Sequence, residues 1–298
     1  MSRLSELCMD IQQVMTTPPP ALDYVLPGLL VGTVGAIIGP GAMGKTMLLT
    51  QIACALASGL PPLGGALGLA GSAPVKVVLF LAEESCLIMH HRLHSIVAQL
   101  AIAANVTDKM AMLELLRRNL KLLPLAGQSG LVKLEPGAMN FDEVIDICQG
   151  ARLVAFDPLR RFHDGDENQS KEMTPIVGQA ERLAFLTGAA VLLSHHTNRA
   201  AILSGMGDQV TASRGSTALP DNVRWQANLS SVKAEQATKL GFKPKELVKL
   251  DSTKANYGAP FDPVVLRRLP DTGILVPTVS TNGGNAVSGK RTAKKAFQ

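Results

Sequence analysis

Between Tyr24 and Val75 the chain carries one charged residue, Lys45, at the end of the run Gly39-Pro40-Gly41-Ala42-Met43-Gly44-Lys45-Thr46. That arrangement leaves few folds open. Val34 to Ile38 is an apolar run of the kind that forms a strand buried on both faces, and Thr46 to Ala57 is apolar nearly all round, as a buried helix is. A strand, a glycine turn and a helix in that order gather backbone N–H groups at a helix N-terminus, where the aligned peptide dipoles favour a bound anion. A hydropathy window would read the same stretch as a membrane span. Pro27, Gly28, Gly32, Gly35, Gly39, Pro40 and Gly41 break it into pieces shorter than the ~20 residues a spanning helix needs.

The glycine run matches G-x-x-x-x-G-K-[ST], the phosphate-binding loop of nucleotide hydrolases, in the strand-to-helix setting that the motif requires. Residues Gly39 to Gly44 would wrap ATP phosphates with backbone N–H groups, Lys45 would hold the β- and γ-phosphates, and Thr46 would ligate Mg2+. Such a site needs an acid at the end of another strand to organise the metal, and Leu153 to Phe156 delivers Asp157. It also needs a group to orient or deprotonate the attacking water. Glu83, after the apolar run Val77 to Ala82, is so placed, with Glu84 as its rival. Ala190 to Ser194 forms a further strand ending in His195 and His196, a pair that is either functional or structural. A metal site there is disfavoured, because adjacent strand residues point apart and no carboxylate or cysteine pattern joins them. His90 and His94 share i, i+4 spacing with His91 and Arg92 between them, and read as a polar helix face.

Strands alternating with helices predict a largely parallel sheet. Ser85 and Asp108 are placed to cap helices, the first with Ile88, His91, Leu93, Ile96, Val97 and Leu100 along its inner side, and Asn140 with Glu143 suggests a capping box. A helix over 173–186 ends at Gly188. Val223 to Val232 alternates and predicts a half-buried strand, with Arg224, Gln226, Asn228 and Ser230 on the solvent side. Val264 to Leu269 and Ile274 to Val276 form a terminal hairpin. Between them and the histidines, residues 200–216 are rich in Gly, Ser, Ala and Met and predict a mobile surface loop.

Net charge is +5, yet Lys290, Arg291, Lys294 and Lys295 leave the rest of the chain close to neutral, so charge alone argues weakly for a nucleic-acid partner. Cys8, Cys54, Cys86 and Cys148 form no C-x-x-C pair and fit a reducing cytoplasm. Charged Arg3, Glu6 and Asp10 interrupt any secretory signal. Leu4, Leu7, Ile11 and Val14 recur at helical spacing before Pro18-Pro19-Pro20. This arm either packs on its own domain or docks on a neighbouring subunit.

Seven segments together resemble one family: Leu22-Asp-Tyr-Val-Leu-Pro27, the glycine-rich loop, His90-His-Arg-Leu-His94, Leu159-Arg-Arg-Phe-His163, Ser213-Arg-Gly-Ser216, Asp221-Asn-Val-Arg-Trp-Gln226 and Lys254-Ala-Asn-Tyr-Gly-Ala-Pro-Phe261. Over nearly its whole length the chain resembles the RepA-type hexameric replicative helicases of mobilisable plasmids, relatives of the DnaB class. The resemblance implies an α/β fold: a RecA-like core with a mostly parallel sheet, a C-terminal β-hairpin and a short N-terminal helical arm. It divides the chain into an arm and linker over 1–23, an ATPase domain over 24–283 and a basic, disordered tail over 284–298.

The same resemblance implies Glu83 as catalytic base, Asp157 as the metal-side acid, His196 or His195 as sensor and Arg224 as an arginine finger for a neighbour's ATP. DnaB-class proteins carry K-x-R near the finger. Here Lys254-Ala255-Asn256 keeps only the lysine, which makes Lys254 an ATP-side cation and leaves Arg224 as the finger. The loop over 200–216 would line a channel, with Arg199 and Arg214 on the phosphates of single-stranded DNA. The function implied is an ATP-dependent replicative DNA helicase, a cytoplasmic homo-hexameric ring without membrane contact, served by initiator or primase proteins. Two other functions share the ATP residues: a recombination or repair ATPase that binds DNA without unwinding, and a regulatory or partition ATPase.

Overall fold

The computed structural model describes residues 7–128, 130–196 and 218–278. After a small antiparallel pair, β1 (Tyr24–Leu26) and β2 (Leu29–Leu30), the chain builds one nine-stranded sheet. Its strands are β3 (Val34–Gly39), β4 (Lys76–Leu81), β5 (Leu120–Pro124), β6 (Ala151–Asp157), β7 (Ala190–His196), β8 (Trp225–Ser231), β9 (Leu247–Ala255), β10 (Val264–Arg268) and β11 (Leu275–Pro277). They lie in the order β11-β10-β9-β8-β3-β7-β6-β4-β5, parallel from β8 to β5 and antiparallel from β8 to β11. The expected RecA-like α/β core and terminal hairpin, β10 with β11, are therefore both present. Parallel neighbours require helical crossovers, which cover both faces of the sheet and explain why its inner strands are continuous apolar runs.

Helix α2 (Lys45–Ser58), α3 (Cys86–Ala103) and α4 (Lys109–Asn119) pack on one face, where Leu48, Ile52, Met89, Ile96 and Leu116 meet Ile37, Leu79, Leu153 and Leu192. Helix α5 (Phe141–Cys148) and α6 (Ser170–Thr187) pack on the other, against Ala36, Phe80, Phe156 and Leu193. Strand side chains alternate between these two layers, and that alternation assigns the functional residues to faces. Leu153 and Ala155 lie in the α2 layer, so Asp157 shares their side of β6, whereas Phe156 turns to the other layer and stacks on Phe80 with ring centroids 4.8 Å apart.

Ser85 and Asp108 cap α3 and α4 as anticipated, accepting from the N–H groups of Ile88 and Ala111, and Gly188 closes α6 in the left-handed conformation. Three details differ from the sequence reading, and a fourth was left open by it. Asn140 precedes α5 without a side-chain cap bond, because its amide donates to the Leu131 carbonyl instead. The inner side of α3 is set by Met89, Leu93, Ile96 and Val97, while Ile88 and His91 are exposed, since the helix is rotated to lay Met89 on the core. β8 is buried on both sides: Gln226 and Asn228 are fully enclosed, with the Gln226 amide donating to Asn228 Oδ1 at 2.9 Å. The polar alternation marks an internal hydrogen-bonded pair, and the strand lies between β3 and β9. Finally, α1 (Ile11–Thr16) buries no residue, with Ile11 and Met15 exposed, so the described part of the arm does not pack on its own domain. The loop over 200–216 lies outside the described residues, as does the tail over 284–298. No helix among the described residues is long and apolar enough to cross a membrane.

Candidate active site

The C-terminal ends of β3, β4, β6 and β7 converge on the glycine-rich loop, the crevice in which parallel sheets of this type hold ligands. Inside the loop Ala42 (φ 60) and Gly44 (φ 97) are left-handed, the conformation that builds concave nests of N–H groups. From outside, Arg268 of β10 donates to the Ala42 and Met43 carbonyls at 3.1 and 3.0 Å. The C=O and N–H of one trans peptide point in opposite directions, so this strap turns the Gly44 N–H to the inner side of the loop. Gln51 of α2 holds the hairpin in place by reciprocal bonds with the Leu275 N–H and carbonyl, at 2.9 and 2.8 Å. Sequence reading missed Arg268; its only sign was the pair Arg267-Arg268 in a strand of the terminal hairpin.

Lys45 is buried and donates to the Gly39 and Pro40 carbonyls, at 2.7 and 3.0 Å. Burial pushes its ammonium down to about 8, against the opposing pull of the Asp157 and Glu83 carboxylates. Thr46 donates its hydroxyl to Asp157 Oδ2 at 2.5 Å, so a hydroxyl and a carboxylate from two elements already meet at one point. Such a hard oxygen pair suits Mg2+, which keeps most of its waters and takes only one or two protein ligands beside a phosphate. The donor set therefore fits the ion.

The two glutamates after β4 diverge. Glu84 is largely enclosed and bound to Arg92 of α3 at 2.6 Å, whereas Glu83 is half exposed, close enough to influence Lys45, and paired with Arg161 at 2.9 Å. The histidines diverge too. His196 ends β7 beside Gly39, and its ring faces the loop, with Cε1 4.0 Å from where a Cβ on Gly41 would stand. His195 lies on the opposite face, 1% exposed, with Nδ1 3.5 Å from the carboxylate of buried Glu167. No cluster of three metal-ligating residues occurs among the described residues, His90 and His94 included.

Arg224 and Lys254 are not brought to the glycine-rich loop. Arg224 N–H donates to the Val34 carbonyl, and Trp225 pairs with Gly35, which places Arg224 at the start of β3. Gly39 lies five residues further along, about 16 Å at the rise of a parallel strand, beyond the reach of an arginine side chain. Lys254, opposite Gln226, is held by the Pro220 and Asp221 carbonyls at 2.7 and 3.3 Å. Burial first, then neighbouring Arg224, lowers its ammonium below the usual lysine value. Arg199 and Arg214 lie outside the described residues.

Residues 2–201, more than half of the chain, match the family model described as AAA domain. The chain belongs to this AAA domain family. Two solved structures share its architecture. The "ATPase Domain of G40P" superposes with a TM-score of 0.59 at 14% identity, over 89% of this chain and 95% of that one. The chain titled "The Structure Of A DnaB-Like Replicative Helicase And Its Interactions With Primase" superposes at 0.56 with 15% identity, over 92% and 69%. At such identities the likeness establishes the fold alone, an α/β architecture with a mostly parallel central sheet, and the family model identifies the chain as an AAA domain.

Lys45 gives the AAA domain a pH signature. In an ATP site, bound phosphates would favour the charged ammonium, so affinity would be complete while the empty site is already protonated, below about 8. It falls as pH rises above that value, by about ten-fold per unit while one proton is taken up on binding. Titration calorimetry with ATP at pH 9, in two buffers of different ionisation heat, should therefore report the uptake of a proton on binding. Heats independent of buffer at pH 9 would contradict this account of Lys45.

Proposed function

We propose that this AAA domain is the motor of a ring-shaped, ATP-dependent DNA helicase that moves along single-stranded DNA and unwinds duplex during plasmid replication. The observation that carries the reading is the separation of cations from the site. Arg224 and Lys254 sit at the start of the parallel strands, and the glycine-rich loop sits at their ends. Their distance from the chain's own loop supports a role toward the next subunit's nucleotide. A head-to-tail contact of this kind closes into a ring when the rotation permits, and we assign six subunits. The ATPase body spans 24–283, the arm over 1–23 docks on a neighbour, and the basic tail follows over 284–298.

In this reading Gly39 to Gly44 cradle the phosphates, Lys45 shifts from the loop carbonyls to the β- and γ-phosphates, and Thr46 with Asp157 hold Mg2+. That ion, when bound, neutralises charge on the transferring phosphoryl group. Glu83 orients the attacking water and accepts its proton, while Lys45 meets the charge that builds on the departing ADP oxygen. His196, beside the loop and at the end of β7, senses the γ-phosphate; His195, buried against Glu167, fixes the strand end. Arg224 and Lys254 of the adjacent subunit complete the site. Arg199 and Arg214 grip DNA phosphates, and an initiator or primase protein loads the ring.

ATP turnover should rise when single-stranded DNA of mixed sequence is added, and the gain should fall steeply as salt is raised, because the grip is on backbone phosphates. Turnover indifferent to DNA at low salt would remove the DNA motor and leave an ATPase of another kind.

A further inference from the structure

The motif Leu159-Arg160-Arg161-Phe162-His163 follows Asp157 after a single residue, Pro158, and four of its residues have plain structural tasks. Leu159 and Phe162 are fully buried, and Phe162 packs edge-on against Phe156 with centroids 5.2 Å apart. His163 is buried, and Arg160 donates to the carbonyls of His163 and Gly165 at 3.3 and 3.0 Å, closing the following turn. Arg161 takes no part in that packing. It stands half exposed on the short turn Leu159–Arg161, and its Nε reaches across 78 residues of chain to Glu83 Oε1 at 2.9 Å.

Two features make this pair more than a surface contact. Of the two glutamates, Glu83 is the one whose charge acts on Lys45, after that of Asp157, whereas Glu84 is committed to Arg92. The backbone also brings the two segments together: Ala82 N–H donates to the Asp157 carbonyl at 2.9 Å, which extends the β4–β6 ladder to the residue before Glu83 and to the strand end four residues before Arg161. A carboxylate whose oxygen already accepts from a guanidinium is held away from the geometry in which it would take a proton from water. At 53% and 50% exposure the pair is a weak restraint, open to exchange with any stronger anion. A phosphodiester is such an anion, since arginine matches its oxygens with paired donors.

We propose that Arg161 is a positioning residue that restrains Glu83 while the protein is without its polynucleotide, and that a backbone phosphate of the bound strand draws Arg161 away and frees the base. The proposal rests on the DNA motor reading above for its trigger, but the restraint itself does not. An exposed ion pair of this strength can change turnover by about two- to five-fold, so the effect belongs in rates and not in folding.

The test compares wild type with Arg161→Ala and Arg161→Lys, measuring steady-state ATP turnover with ATP alone and with saturating poly-dT. With ATP alone, Arg161→Ala should turn over about two- to five-fold faster than wild type, because the restraint is gone. With poly-dT the two should converge, so the stimulation ratio falls by the same factor. Arg161→Lys keeps the charge without the planar fork and should lie between them. Equal losses with and without DNA would show that Arg161 assists hydrolysis, and an unchanged rate with ATP alone would show that the pair is inert; either result overturns the restraint. A faster Arg161→Ala beside a wild type that ignores poly-dT would keep the restraint and refute the DNA trigger together with the motor reading.

Discussion

Lys45→Ala is expected to lower ATP turnover by about 10³-fold, the scale of losing a charge-stabilising donor to a phosphoryl transition state, while the melting temperature stays level or rises. The two halves of the result have one origin. The ammonium is buried, and burial drags it down to about 8, so the folded state gains little from keeping it charged. In the absence of nucleotide it rests on two loop carbonyls, of which that of Pro40 also accepts from the Met43 N–H. Its worth appears only when phosphates replace those carbonyls. Malachite-green turnover beside a thermal melt reads both; an active variant would refute the ATP assignment, and a collapsed one would show that Lys45 holds the fold.

Arg224→Ala should bind ATP with near-normal affinity and lose turnover by about 10³-fold, because an arginine finger acts on the charge of the transition state. Arg224 lies at the start of β3's neighbour and the glycine-rich loop at the end of β3, so the proposed finger would act between subunits, and a further result is then expected. Mixed in equal amounts, Arg224→Ala subunits bring an intact loop and Lys45→Ala subunits an intact finger. Random ring assembly then leaves about a quarter of the interfaces complete, if each interface works independently. Activity should climb from near zero for either variant alone to about that fraction. No recovery at any mixing ratio, with co-assembly verified by native mass spectrometry, would exclude a finger acting between subunits.

The architecture was legible because its central strands follow a simple rule. Val34 to Ile38, Val77 to Leu81 and Leu153 to Phe156 are apolar without interruption because a parallel sheet covered on both faces demands it, and the order of helices between them then dictates the crossovers. The same rule brought out Asp157, a single acid at the end of such a run. Gln226 and Asn228 misled because a buried polar pair satisfied by its own side chains looks, in one dimension, like a solvent face. Asn140 misled because cap signals are local, and its amide found a carbonyl nine residues away.

The parts of the site that sequence reading did not foresee are all long-range. Arg268 reaches the loop from 225 residues away, and Arg161 meets Glu83 across 78. Arginines in a strand or turn carry no local pattern that marks such a partner. The separation of His195 from His196 was open for a related reason: alternation says that they point apart, but only the packing of α2 on one face says which of them meets the loop.

The measurement that tests the central claim most directly is ATP-dependent strand displacement on a forked duplex carrying either a 5′ or a 3′ single-stranded tail, with Lys45→Ala as control. The account predicts displacement from one tail only, dependent on ATP and absent in the control, because a ring threaded on one strand moves in a single direction. DNA-stimulated hydrolysis without displacement from either tail would contradict it, and would leave a RecA-like ATPase that binds DNA without unwinding it.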